Sequence, residues 1–174
     1  MRSAELRDGR VFVLRLEDGE VLHEAVESFC LENGIRNATV TAVGGVDAGS
    51  EFVSGPSVPV GDRIVPLIVT IDEPCELTGT GTVFPDDDGV PVLHMHGSVG
   101  RAGFSATGCF RRRMVVWLVM EVVIREMVGE GPVRTVSDPR IDAKLMEIRR
   151  WRRKRFCARP SATRTGSPSP STRA

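Results

Sequence analysis

The sequence has no long apolar run and no paired cysteine motif. No stretch approaches the roughly 18 apolar residues of a membrane-spanning helix, and the first ten residues, MRSAELRDGR, lack the apolar core of a secretory signal. The four cysteines, Cys30, Cys75, Cys109 and Cys157, form no CxxC pair, so we expect free thiols or metal ligands rather than disulfides. These absences predict a cytoplasmic protein without membrane contact.

The sequence also lacks the usual signatures of nucleotide-dependent and hydrolytic enzymes. It has no P-loop and no nucleophile elbow. The glycines of TGTGTVF (78–84) fall within an alternating strand pattern, whereas a dinucleotide fingerprint stands between a strand and a helix. We therefore assign no catalytic residue. Whether the chain is an enzyme stays open, with metal-assisted hydrolysis as a chemical option only.

Acidic residues are absent from the last part of the chain. Residues 149–174 hold nine of the 23 basic residues and few core-forming side chains, which predicts a basic, disordered tail after a single domain at 1–148. The preceding 148 residues carry 14 basic against 23 acidic residues, a formal charge of about −9. Domain and tail are therefore electrostatically different.

The tail begins with a segment suited to nucleic acid. RRWRRKRF (149–156) combines basic residues that can neutralise phosphates with Trp151 and Phe156, which can stack on unpaired bases. The composition favours loose, salt-sensitive binding over specific recognition. It is also compatible with an extension that has no role. The candidate contacts are Arg149, Arg150, Arg152, Arg153, Lys154 and Arg155.

The rest of the chain reads as one helix among many strands. Apolar residues at helical spacing predict a helix at about 20–33 that ends at Asn33-Gly34 with Ile35 as its apolar contact. The glycine pair Gly44-Gly45 predicts a bulge or a close backbone approach. These features indicate an α+β fold with a central, mostly antiparallel sheet and a short C-terminal element at 138–148. Strands are predicted at 10–16, 37–46, 64–71, 76–84, 91–100, 104–110 and 114–127.

One predicted strand carries a histidine pair. In VLHMHGSVG (92–100), His94 and His96 are two residues apart, so both imidazoles point to one face. If 91–100 and 104–110 form a hairpin, Cys109 can join them in a His-His-Cys set that suits zinc and leaves a fourth position open. Glu121 is a weaker candidate, as a ligand or as an acceptor for an imidazole N–H. Strand histidines are also often satisfied by backbone carbonyls, so the pair alone does not establish a metal site.

Five segments of the sequence, taken in order, carry a family likeness. They are GRVFVLRLEDGEVLHEAVESFCLENGIRNATVTAVGGV (9–46), CELTGTGTVF (75–84), PVLHMHGSVGRAG (91–103), TGCF (107–110) and VWLVMEVVI (116–124). In this order they resemble the plants-and-prokaryotes conserved (PPC) domain family over roughly residues 5–148. The resemblance implies an α+β domain with a central antiparallel sheet that forms a homotrimer, with edge strands and apolar surface buried between subunits.

The resemblance also implies a metal site and a choice of functions. Prokaryotic members resemble metal proteins in which an HxH pair and a third residue, commonly the histidine of a GGH motif, bind zinc or a similar ion. By position the pair is His94 and His96, and the GGH histidine falls at Cys109, where cysteine is a departure that can still bind zinc. The implied function is a homotrimeric zinc protein with a ligand-binding or assembly role.

The alternative function is DNA binding or regulation. Plant relatives join the domain to AT-hook motifs and act as nuclear DNA-binding proteins, whereas this chain has no RGRP-type hook. Any contacts with nucleic acid are therefore expected mainly from the Arg-rich tail.

Overall fold

One helix and ten strands make up the described part of the chain. The structure, a computed structural model, describes residues 1–57, 63–129, 133–141 and 143–148. The predicted tail, with the candidate nucleic-acid contacts from Arg149 to Arg155, lies outside these residues. Among the described elements, no helix is long and apolar enough to cross a membrane. The elements are β1 (Arg7–Glu17), α1 (Leu22–Glu32), β2 (Ala38–Val46), β3 (Glu51–Pro56), β4 (Pro66–Thr70), β5 (Cys75–Pro85), β6 (Pro91–Arg101), β7 (Phe104–Cys109), β8 (Val116–Val128), β9 (Val133–Asp138) and β10 (Ala143–Ile148).

Eight of the strands form one sheet, in the order β1-β8-β2-β5-β6-β7-β3-β4. The strand pairings between the described residues are all antiparallel, including that of the separate hairpin β9-β10. Helix α1 places Leu22, Val26 and Cys30 in the hydrophobic core on one face of the sheet. The predicted α+β fold with a mostly antiparallel sheet is confirmed.

The helix ends as its sequence predicts. The Ile35 N–H donates to Cys30 O over 2.8 Å and the Gly34 N–H donates to Leu31 O over 3.2 Å, the two bonds of a Schellman motif. Gly34 has a φ of +66°, which glycine adopts without the steric cost of a Cβ. Ile35 is buried, so the chain turns directly from the helix into the core before β2 begins.

The glycine pair of β2 allows close contact with β8. The register between these strands shifts between Gly44 and Gly45, which confirms the predicted bulge. A Cβ on Gly44 would lie 2.6 Å from Met120 Cα, and its φ of +151° is one that other residues rarely adopt. At this position the backbones of the two central strands approach each other closely because Gly44 has no side chain.

Two elements differ from the sequence expectation. Strand β3 was not predicted, because its sequence EFVSGP buries only Phe52 and contains Gly55 and Pro56. The predicted element at 138–148 is the second half of a hairpin that already begins at Val133. Ion pairs join this hairpin to the turn between β5 and β6: Lys144 Nζ lies 2.6 Å from Asp86 Oδ2, and Arg134 pairs with Asp87.

The close approach at Gly44 predicts a specific loss of stability. Gly44→Ala should lower the free energy of unfolding by about 2–4 kcal/mol, because the new methyl group overlaps β8 and the backbone angle is unfavourable. Gly89→Ala is the control: Gly89 also has positive φ, but nothing lies within 4 Å of an added Cβ, so about 1 kcal/mol is expected. Urea unfolding of both variants measures the difference, and equal losses would contradict the proposed overlap.

Candidate metal centre

Two neighbouring strands carry the three candidate ligands. His94 and His96 lie on β6, and Cys109, the last residue of β7, pairs directly with His96. Met95, between the histidines, is fully buried on the core side. Because side chains alternate along a strand, both imidazoles point to the opposite face, which α1 does not cover. The hairpin inferred from the sequence therefore brings all three residues together.

Three paired glycines, one on each of β5, β6 and β7, leave space on the core face behind the candidate ligands. Gly97 pairs with Gly79 of β5 on one side and with Gly108 of β7 on the other. A Cβ on Gly97 would lie 2.6 Å from Phe110 Cε2, and one on Gly108 would lie 2.6 Å from Phe52 Cδ2. The two phenylalanine rings are buried and meet edge to face, with centroids 6.1 Å apart. Aromatic rings thus fill the space that strand side chains would otherwise occupy.

Phe110 also fixes the end of β7. Its N–H donates to Met95 O over 2.8 Å, so the chain just after Cys109 is bonded to the residue between the two histidines. Burial of the Phe110 ring against Gly97 anchors the same point from the core side. The position of the Cys109 thiol relative to the imidazoles is therefore set by core packing and not only by strand pairing.

The three ligand atoms are close enough to share an ion. They all lie within 4.8 Å of one another, and His94 Nε2 is 3.0 Å from His96 Nε2. Two nitrogens bound to one tetrahedral zinc are about 3.3 Å apart, given Zn–N bonds of about 2.0–2.1 Å. The two imidazoles contact each other, and neither bonds a backbone carbonyl of the described residues. The nitrogen and sulfur donors present therefore fit zinc in type and in spacing.

Burial and one arginine determine the charges of these groups. Burial, then Arg111, then His96 lower the pKa of His94 to about 4, so this imidazole is neutral at pH 7 and its lone pair is available. Burial raises the pKa of the Cys109 thiol, while Arg111, whose Nε donates to Cys109 Sγ over 3.0 Å, acts in the opposite direction. A metal that takes Cys109 as a thiolate must therefore displace its proton.

The structure rejects one sequence candidate and adds one residue. Glu121 lies on β8, and β2 and β5 separate that strand from β6, a distance of about 14 Å at the usual strand spacing. Its assignment as a ligand or an imidazole acceptor is wrong. Arg111 was missed, although its position two residues after Cys109 was a usable signal.

His96 and Cys109 of the candidate cluster lie in a continuous row of cross-strand neighbours on the uncovered face. On β5, Thr80 pairs with His96. The cross-strand pairs then continue from Thr80 to Thr41 on β2, to Val123 on β8 and to Val13 on the edge strand β1. The hydroxyls of Ser98 and Thr107 bond each other nearby over 2.7 Å. The residues of this row are neutral and polar beside His96 and apolar toward β1, and the charged Arg15 and Glu121 lie on the same face.

Comparisons with known proteins agree with the fold and the motifs. The model of the Plants and Prokaryotes Conserved (PCC) domain matches residues 3–128. A metal-containing protein from Archaeoglobus fulgidus has a similar structure, with a TM-score of 0.71 and 25% identity over 84% of this chain and 99% of that one. A plant- and prokaryote-conserved protein from Pyrococcus horikoshii gives 0.70 and 22% over 87% and 100%.

A third similar structure carries a different description. It is a candidate DNA-binding protein from Ralstonia eutropha JMP134, with a TM-score of 0.58 and 19% identity over 79% of this chain and 90% of that one. None of the curated proteins matches the sequence.

The lowered pKa of His94 predicts an acid-sensitive stability of the metal-free protein. The pKa is about 4 in the folded chain, against about 6.5 when unfolded, so the unfolded state takes up the proton first. Neutral His94 therefore makes its full contribution to the free energy of unfolding above about pH 6.5, and this contribution is lost as the pH falls toward 4. After allowance for partial exposure of the ring, the loss should be about 2 kcal/mol.

Urea unfolding with a chelator present, at pH 7 and pH 4.5, measures this effect. The His94→Gln variant is the control, because it retains the other titrating groups and should lose less stability than the wild type by that amount. Equal losses in the two proteins would show that folding does not perturb the titration of His94.

Proposed function

The chain belongs to the Plants and Prokaryotes Conserved (PCC) domain family, and from this premise we propose that it is a cytoplasmic homotrimer that binds zinc through His94, His96 and Cys109. The observation that carries the proposal is the meeting of three ligand atoms within 4.8 Å on two paired strands. The resemblance of the Archaeoglobus fulgidus metal-containing protein supports it. The thiols of Cys30, Cys75 and Cys109 are free, which suits a reducing compartment.

The residues of the site have distinct roles in this proposal. His94 supplies a neutral imidazole, His96 a more exposed one, and Cys109 a sulfur that loses its proton on binding. Arg111 donates to that sulfur and stabilises its thiolate form. Zinc with three protein ligands has a fourth position that can hold a further ligand. We propose a ligand-binding or assembly role and assign no catalytic residue.

The uncovered face of the sheet supports assembly into a trimer. Val13, in the same row as the metal cluster, is 77% exposed, and Val43 on the same face is 50% exposed. The edge strand β4 adds exposed Leu67 and Ile68. Apolar side chains on a sheet face and at an edge strand are features that subunit contacts bury.

Native mass spectrometry of protein purified without a chelator or polyhistidine tag tests metal and assembly together. We expect a trimer with about one zinc per subunit, because each chain offers one set of three ligands. His94→Ala and His96→Ala should remove most of the metal, and Cys109→Ser should weaken its binding by about tenfold or more. His23→Ala, on helix α1, is the matched control and should keep full occupancy. Unchanged zinc content in the two cluster histidine variants would contradict the site, and a monomer would contradict the assembly.

A second candidate function is nucleic-acid binding through the tail. The description of the Ralstonia eutropha neighbour as a candidate DNA-binding protein favours it, as does the basic and aromatic composition of 149–156. Residues 1–148 carry about −9, so the domain itself repels a phosphate backbone. We propose that the domain ends near residue 148 and that any contacts with nucleic acid come from the segment after it.

Deletion of residues 149–174 should abolish nucleic-acid binding and leave trimer and zinc content unchanged. A second variant with glutamine at the six candidate positions from Arg149 to Arg155 should behave in the same way, because phosphate contacts need the positive charge. Fluorescence anisotropy with single- and double-stranded oligonucleotides at 50 and 200 mM salt measures the binding. Binding that survives the deletion would place the contacts on the domain instead.

A further inference from the structure

Arg111 lies beside the candidate ligands with most of its hydrogen-bonding capacity free. Its Nε donates to Cys109 Sγ over 3.0 Å, and the side chain is half-buried. A guanidinium has five N–H donors, of which this contact uses one. The described residues provide no acceptor for the two Nη groups. A partly buried cation with unused donors is thus fixed next to the cluster.

Five of the twelve other arginines among the described residues form an ion pair with a carboxylate. Arg10 pairs with Glu126 over 2.7 Å, Arg101 with Glu73 over 3.1 Å, and Arg140 with Asp138 over 2.7 Å. Arg111 has no ion pair with any described residue. The guanidinium of Arg111 therefore has no direct carboxylate partner among the described residues, although residues 1–148 as a whole are acidic.

The charge of the loaded site would add to that of Arg111. Two neutral imidazoles and one thiolate leave a divalent ion with a net charge of about +1, and the guanidinium contributes another. The neighbours on the sheet face, Thr80 opposite His96 and Thr82 opposite His94, are neutral. Such a site favours an anion over a neutral molecule at the open position.

We propose that Arg111 makes this site selective for a small oxyanion, a carboxylate or phosphate group that takes the open metal position and accepts hydrogen bonds from the guanidinium. The inference rests on the proposed metal site. The ligand must carry two or more oxygen atoms on one carbon or phosphorus atom, because one oxygen must face the metal while another accepts a hydrogen bond from Arg111. Neutral ligands such as imidazole can take the metal position but gain nothing from the guanidinium.

The test uses the full chain loaded with Co²⁺, whose absorption spectrum reports on its ligands. Acetate, inorganic phosphate and imidazole are titrated separately, and binding is followed by the spectrum and by calorimetry. Arg111→Gln should weaken binding of the preferred oxyanion by about tenfold to a hundredfold, the usual loss for a hydrogen bond to a charged group. Imidazole affinity should be unchanged. Comparison of the acetate and phosphate affinities shows whether the site prefers a carboxylate or a phosphate group.

Two further variants keep the test decisive. Arg113→Gln removes an exposed guanidinium two residues after Arg111 and should leave the affinities for the oxyanion and for imidazole unchanged. Arg111→Lys retains the charge but not the forked donors, so it should hold cobalt and bind the oxyanion with intermediate affinity. If Arg111→Gln no longer binds cobalt, the oxyanion affinity of Arg111→Lys relative to that of the wild type tests the role of Arg111.

Three outcomes would overturn the inference, and they can be told apart. Equal oxyanion affinity in the wild type and the Arg111 variants, with cobalt bound, refutes the role of Arg111 and leaves the metal site standing. Parallel losses of acetate, phosphate and imidazole show a general disturbance of the cluster. A wild type that binds no cobalt refutes the metal site, and the oxyanion proposal falls with it.

Discussion

The contact between the Phe110 ring and Gly97 is the constraint on which the candidate site depends. Gly97 lies in β6 directly after His96, and its missing side chain leaves room for the ring on the core face. The ring holds the chain after Cys109, while the Phe110 N–H bonds to Met95 O between the two histidines. Core packing on one face of the sheet thus sets the distance between ligands on the other. A side chain at position 97 would disturb the cluster without touching it.

Local rules were sufficient for the parts of the site that depend on a single strand or hairpin. Strand alternation alone places His94 and His96 together, and the short turn between β6 and β7 brings Cys109 opposite His96. Rules of this kind could not place Glu121, because its distance from β6 depends on strand order: β2 and β5 lie between the two. Strand β3 was missed for a similar reason, since it is held by pairing with β4 and β7 rather than by its own composition. The role of Arg111 depends on its side-chain conformation, which no spacing rule specifies.

A cysteine in this position changes the electrostatics of the site. A buried thiol is reluctant to ionise, and burial does raise the pKa of Cys109. The guanidinium of Arg111 offsets part of that cost through its 3.0 Å contact with sulfur. The positive charge of Arg111 also repels an incoming metal cation. The net effect of Arg111 on metal affinity therefore depends on how far the negative Cys109 thiolate offsets this repulsion. Arg111 and Cys109 therefore act as one unit: neither the ligand strength of the sulfur nor the charge of the site can be assigned to one residue alone.

The position of the cluster in the sheet links metal binding to assembly. His96 and the exposed Val13 belong to one row of cross-strand neighbours that runs from β6 to the edge strand β1. In the proposed trimer, burial of this face would bring subunit contacts close to the ligands and exclude water from them. A lower local dielectric strengthens both the guanidinium–thiolate contact and the attraction for an anion. Anything that binds the folded, assembled state more tightly than the separated chains also stabilises that state. An ion held by this cluster would thus favour the trimer if assembly orders the three ligands, and the trimer would in turn raise the affinity for the ion.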